Sequence, residues 1–133
     1  FDLDLLSFLA KKLNNVSFFL IGSSRINLNP FKGIPNIYIL GRKNFKELPK
    51  YLWNADIGII PFKREAVVET ISPIKLYEYM ACGLPVISTE WEELKVIKPP
   101  ALLAKNKDEF LLFLAETLKH SPDKTNNQLL LYI

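Results

Sequence analysis

Two oppositely charged side chains, Lys75 and Glu78, stand three residues apart in the run ISPIKLYEYMACGLPVIST, residues 71–89. On a helix that spacing places them on one face. The run carries helix punctuation at both ends. Ser72 is a favoured N-cap and Pro73 suits the first helical position, while Gly83 fits the left-handed position after the last turn and Pro85 prevents continuation. A helix over residues 73–82 therefore offers the free N–H groups of Ile74 and Lys75 at its positive end, where a phosphate is well received. The plainer reading of Lys75 and Glu78 is an exposed ion pair worth about 0.2–0.5 kcal/mol. Ile74, Tyr77 and Ala81 share another face, expected to pack on a sheet.

More cations fall in the loops upstream: Arg25, then Arg42 and Lys43, then Lys63 and Arg64. Their meaning depends on the elements that carry them. VSFFLI, IYILG, IGII, PVIST and a weaker PALLA are short apolar runs without polar alternation, as strands buried on both faces require. Between them lie helical patterns. Leu5, Phe8, Leu9 and Leu13 align in the first, Leu48, Tyr51 and Leu52 in the second, and Phe110, Phe113, Leu114 and Leu118 in the last. Pro49 is tolerable only in a first turn. EWEELKVIK reads as a short amphipathic helix, and KREAVVETI as a loop. Alternating strands and helices predict an α/β fold, a Rossmann-like parallel sheet with helices on both faces. In such sheets ligands bind beyond the carboxyl ends of the strands, where these cations cluster.

The chain has 133 residues, 49% of them apolar and 23% charged, which fits one globular domain. A net charge of +3 suits an anionic small ligand or an anionic membrane surface and argues little for nucleic acid. One cysteine, Cys82, excludes an internal disulfide and reads as an inert thiol in a core helix. The single histidine, His120, has no second His or Cys to form a metal site. No apolar run reaches the roughly 18 residues of a membrane span, and early acids argue against a signal peptide. Glycine-rich phosphate loops and the Gly-x-Ser-x-Gly elbow are absent. Glu92 and Glu93 read as a solvated helix face. The end, SPDKTNNQLLLYI, breaks at Ser-Pro-Asp and finishes in an apolar run that reads as a docking segment or a truncated helix.

SPIKLYEYMACGLPVIST resembles the donor-site segment of family 4 glycosyltransferases of the GT-B architecture, whose signature runs Glu-Ala/Tyr-Met-Ala-x-Gly-x-Pro-Val-Ile. VSFFLIGSS, IPNIYILGRKNFKELPKYLWNADIGIIPF and PALLAKNKDEFLLFLAETL resemble successive elements of the same C-terminal, nucleotide-sugar-binding domain. The resemblance covers residues 1–119 and leaves 120–133 as a tail of unclear role. It implies the C-terminal half of a GT-B enzyme whose first strand, with its diphosphate-binding loop, and whose acceptor domain would both precede Phe1. By position, Glu78 matches the glutamate that holds the ribose hydroxyls, and an ionised carboxylate accepts two such hydrogen bonds well. Ile74 and Lys75, behind Ser72, match the turn that meets the diphosphate. Gly41 and Arg42 match the segment that reads the base, and Gly22 and Ser23 a loop near the donor. The family's first paired glutamate falls here on Thr70, with Glu69 beside it.

The resemblance implies transfer of a sugar from a nucleoside-diphosphate sugar to an acceptor in bacterial surface-polysaccharide or glycoconjugate synthesis. No cofactor or metal is expected, because the helix end and nearby cations would stabilise the departing diphosphate. The implied partners are the nucleotide sugar and, through the preceding domain, an acceptor glycan or lipid-linked glycan. Nucleic acid is not among them. The expected place is the cytoplasm, with peripheral association of a full-length protein at the inner face of the membrane. Alone, these residues are expected to bind donor weakly and to transfer nothing. The rival reading is a non-catalytic Rossmann-like binding or assembly module, to which Thr70 and the absent arginine loop lend support.

Overall fold

Short strands of β-branched and aromatic residues need neighbours on both sides and cover on both faces; the fold supplies both to the inner strands, whereas the edge runs IYILG and PALLA, expected to be buried on both faces, leave Tyr38, Ile39 and Leu102 exposed. The computed structural model describes residues 1–22, 27–63, 74–97, 100–120 and 127–132. Among the described residues, five α-helices flank the sheet: α1 (Leu3–Lys12), α2 (Leu48–Trp53), α3 (Ile74–Ala81), α4 (Glu92–Ile97) and α5 (Lys107–Lys119). The strands are β1 (Val16–Ile21), β2 (Ile37–Gly41), β3 (Ile57–Ile60), β4 (Val86–Thr89), β5 (Leu102–Ala104) and β6 (Asn127–Tyr132). All pairings are parallel, in the order β2-β1-β6-β3-β4-β5. The expected α/β class with helices on both faces is the one observed.

Alternation along the strands divides the interior into two cores. Phe18, Leu20, Ile57, Ile59 and Ile87 join α1 and α5 on one face. Ile21, Ile60 and Val86 join Leu48 and Leu52 of α2, Leu76 and Tyr79 of α3, and Leu94 of α4 on the other. Each fully buried aliphatic contributes about 1.5–3 kcal/mol, so two filled layers hold the sheet between them.

Local signals set the helix ends. The Asp2 carboxylate accepts from the Leu5 N–H at 3.0 Å and caps α1. The Asn106 side-chain oxygen accepts from the Glu109 N–H at 2.8 Å and caps α5. At the end of α3, Gly83 adopts φ +72° while its N–H reaches the Met80 carbonyl and that of Leu84 reaches the Tyr79 carbonyl, both at 3.0 Å. This is a Schellman closure, as Gly83 and Pro85 imply. Cys82 lies at this helix end, half-buried against the α2–α4 core, and not within the helix. The proposed cap at Ser72 and Pro73 lies outside the described residues.

Two further expectations are corrected. The face of α3 that packs on the sheet carries Leu76 and Tyr79, both fully buried. Ile74 and Tyr77 are 59% and 51% exposed, and Ala81 is exposed. Gly58 is the reason for the seating: its missing side chain leaves room for the Tyr79 ring directly on β3. The second correction concerns the apolar run near the end of the chain, which is neither a truncated helix nor a peripheral docking segment. Residues 127–132 form β6 in the middle of the sheet. Six residue pairs match it to β1, from Val16 with Asn127 to Ile21 with Tyr132, and two match it to β3. Its backbone joins the β2–β1 pair to the β3–β4–β5 set.

Candidate functional site

The chain leaves β1 toward β2 on one side and leaves β3 toward β4 on the other, and the carboxyl end of β6 stands between them. Diverging connections of this kind open a crevice at the carboxyl edge of a parallel sheet. Gly22 and Gly41 meet on its β1–β2 side, the Gly22 N–H donating to the Gly41 carbonyl at 3.0 Å. Gly41 has φ +72°, a backbone that side chains with a Cβ rarely take, and it turns the chain toward Arg42. Lys43 follows with its ammonium over the Tyr51 ring of α2 at 5.8 Å.

Lys75 and Glu78 stand on the β3–α3 side, with Ile74 exposed at the start of the helix. The ammonium of Lys75 lies 4.5 Å from the centre of the Phe1 ring and 5.7 Å from that of Phe62, which follows β3. Phe1 and Phe62 pack at 4.7 Å, and the Asp2 N–H donates to the Pro61 carbonyl at 2.8 Å, so the start of α1 is fastened to the end of β3. Burial among these rings lowers the Lys75 pKa to about 8, and the negative charge of Glu78 pulls it back up. The arrangement holds a cation in a poorly hydrated place, where its charge acts more strongly than in water.

The described residues of the expected site therefore form two groups: Gly22, Gly41 and Arg42 beyond β1 and β2, and Ile74, Lys75 and Glu78 beyond β3. Ser23, Glu69, Thr70 and Ser72 lie outside the described residues, as do Arg25 and Arg64. Among the described residues, no three His, Cys, Asp or Glu side chains converge as a metal site would.

A feature that the sequence did not signal lies farther along the same edge. A cavity of about 270 Å³ opens beyond β3, β4 and β5, lined by Asp2, Phe62, Thr89, Lys105, Asn106 and Lys107 together with Leu5, Ala104 and Phe110. The Thr89 hydroxyl and the Trp91 indole N–H nearby in sequence are buried with no hydrogen-bond partner among the described residues. The joining of the α1 and α5 starts at one cavity depends on strand order, which local sequence signals do not carry.

No helix of the described residues is long and apolar enough to cross a membrane. The family described as "Glycosyl transferases group 1" matches residues 3–119. A Bacillus subtilis (strain 168) protein named as a teichuronic acid biosynthesis glycosyltransferase, TuaH, is 34% identical over 67 residues. The match spans 50% of this chain and 17% of that relative, so the chain covers far less than two thirds of the relative's length. No solved structure matches. With the family match extending over most of a doubly covered parallel sheet, the chain belongs to the group 1 glycosyl transferases.

Proposed function

We propose that these residues form the donor-binding domain of a glycosyltransferase, a C-terminal half of the GT-B kind, that takes a nucleoside-diphosphate sugar. The observation that carries the reading is the pairing of Lys75, desolvated against Phe1 and Phe62, with Glu78 one turn along on the same helix at the carboxyl edge. A diphosphate at the start of α3 would meet the positive helix end and a cation only weakly screened by water. The Glu78 carboxylate would accept hydrogen bonds from the two ribose hydroxyls. Gly41 and Arg42 would contact the base from the other side of the crevice. During transfer, negative charge grows on the departing diphosphate, and the fixed helix end and Lys75 would stabilise it without reorganisation.

Ser23, Glu69, Thr70 and Ser72 belong to this reading as further donor contacts. The acceptor, a glycan or a lipid-linked glycan of surface-polysaccharide synthesis in the cytoplasm, would be held by another domain, so this chain alone would bind donor without transferring it. The name of the TuaH relative supports a polysaccharide role. The wider GT-B assignment, the domain extent of residues 1–119 and metal-free transfer are parts of the same proposal.

Calorimetric titration of UDP and GDP into the chain tests it. Saturable binding of one nucleotide, lost in Glu78→Ala with an unchanged melting temperature, is the expected result. A folded chain that binds neither nucleotide would favour the non-catalytic module instead.

A further inference from the structure

We propose that the cavity beyond β3, β4 and β5 binds a single sugar ring that carries a carboxylate. Its size sets the class of ligand. At about 270 Å³ it lies just under the roughly 300 Å³ at which ordinary ligand pockets begin, and it equals the share of about nine waters. One pyranose suits such a space, and a nucleoside diphosphate does not. Thr89 lines the cavity, and its hydroxyl is buried with no hydrogen-bond partner among the described residues. Buried hydroxyls are seldom left unpaired, so this one calls for a polar occupant. It is also held in place: Thr89 pairs with Ala104 across β4 and β5, and its carbonyl accepts from the Ser88 hydroxyl at 2.9 Å.

The rest of the lining both donates and accepts, as the hydroxyls of a sugar require. Asp2 takes the Leu5 N–H on Oδ1, which leaves Oδ2 as an acceptor, and Asn106 takes the Glu109 N–H on Oδ1, which leaves its NH2 as a donor. Phe62 and Phe110 offer apolar surface to the ring carbons. Charge is unevenly placed. Asp2 belongs to the start of α1, whereas Lys105 and Lys107 belong to the turn into α5, with the first-turn N–H groups that the Asn106 cap does not use. A carboxylate on the α5 side meets two ammonium groups and a positive helix end, and the ring hydroxyls meet Asp2 and Thr89. The Lys107 ammonium also rests on the Phe8 ring at 4.8 Å, which joins the two helices beside the cavity. Such a ring has two sources: the sugar of a nucleotide held at α3, since Phe62 lines the cavity and lies 5.7 Å from the Lys75 ammonium, or the end of a glycan. Only this choice of source rests on the nucleotide reading.

The test titrates the 133-residue chain with methyl glucuronide, methyl glucoside and acetate, followed by the amide resonances of Thr89, Lys105 and Lys107. The expected result is saturable shifts with the glucuronide and about ten-fold weaker binding of the glucoside, which lacks the charge-assisted contacts. Thr89→Val should weaken the glucuronide about five-fold without lowering the melting temperature, because it removes an unpaired buried hydroxyl. Lys105→Ala should weaken it by a similar factor. UDP-glucuronate and UDP separate the sources. A ring that belongs to the nucleotide makes UDP-glucuronate bind more tightly than UDP and shifts Thr89 together with Glu78. A ring that ends a glycan leaves the two equal, and methyl glucuronide then binds the UDP-saturated chain undiminished. Failure of the nucleotide reading alone would appear as no UDP binding with the glucuronide still bound. Absence of glucuronide shifts at these residues overturns the proposal. So does acetate or the glucoside binding as tightly, or affinity unchanged in both variants.

Discussion

Substituting alanine for Gly58 should loosen α3 from the sheet, and the cost can be worked from the contact. A Cβ built on Gly58 would lie 2.6, 2.7 and 2.9 Å from Cγ, Cδ2 and Cδ1 of Tyr79. Carbon atoms rest at about 3.5–4.0 Å, so the ring would have to retreat by roughly 1 Å. Tyr79 has no exposed surface, and its hydroxyl donates to the Ile59 carbonyl at 3.4 Å. Gly58 is itself held, its N–H donating to the Pro85 carbonyl at 2.9 Å. With both partners confined, overpacking should cost about 1–3 kcal/mol. For 133 residues the unfolding entropy is about 0.28 kcal/mol/K, so the melting temperature should fall by about 4–11 °C. Thermal melts followed by circular dichroism measure this directly. Tyr79→Leu removes the obstructing ring, so in the double variant the two losses should sum to more than the loss observed. A Gly58→Ala protein that melts within 1 °C of the parent, or strictly additive losses, would refute the reasoning.

Further expectations follow from other parts of the fold. The Asn36 side-chain NH2 donates to the carbonyls of Ala10, Leu13 and Val16 at 3.0, 3.0 and 2.9 Å, tying the end of α1 to β1. Asn36→Ala should therefore destabilise the chain by about 1–3 kcal/mol in urea unfolding, by leaving buried carbonyls unpaired. The folded Lys75 releases its proton near pH 8, below the ordinary 10.5, so between these values the unfolded chain binds more protons and this residue makes stability rise with pH. Lys75→Met should remove that rise in denaturant midpoints measured from pH 7.5 to 10.5, and should abolish the fall in nucleotide affinity expected as pH passes 8. Ending the chain at residue 126 removes β6 and leaves β1 and β3 with unpaired edges, so cooperative thermal unfolding should be lost. A sharp transition in that shortened chain would show that β6 is dispensable.

Buried strands and capped helices were legible because their signals are local. Gly83 closes α3 as its type suggests, and the apolar runs from Val16 to Ala104 became strands. The packing face of α3 was not legible. IKLYEYMA is apolar nearly all round, so periodicity cannot choose between the side of Ile74, Tyr77 and Ala81 and that of Leu76 and Tyr79. A glycine sixteen residues upstream makes the choice by admitting the Tyr79 ring. Nor could the run NQLLLY declare its place. A short apolar segment is compatible with a strand or a helix, and its slot between β1 and β3 is created by residues more than sixty positions away. At the candidate site, Lys75 and Glu78 were visible as a spaced pair on one helix face. The aromatic cover over Lys75 joins Phe1 with Phe62, and only the folded chain brings those two together.

The most direct measurement is a crystal structure of the chain grown in excess UDP or GDP, whichever binds. The account predicts diphosphate density at the start of α3 within reach of Lys75, and the ribose hydroxyls on Glu78. A nucleotide bound elsewhere on the carboxyl edge, with Phe1 and Phe62 still closed over an unliganded Lys75, would contradict it.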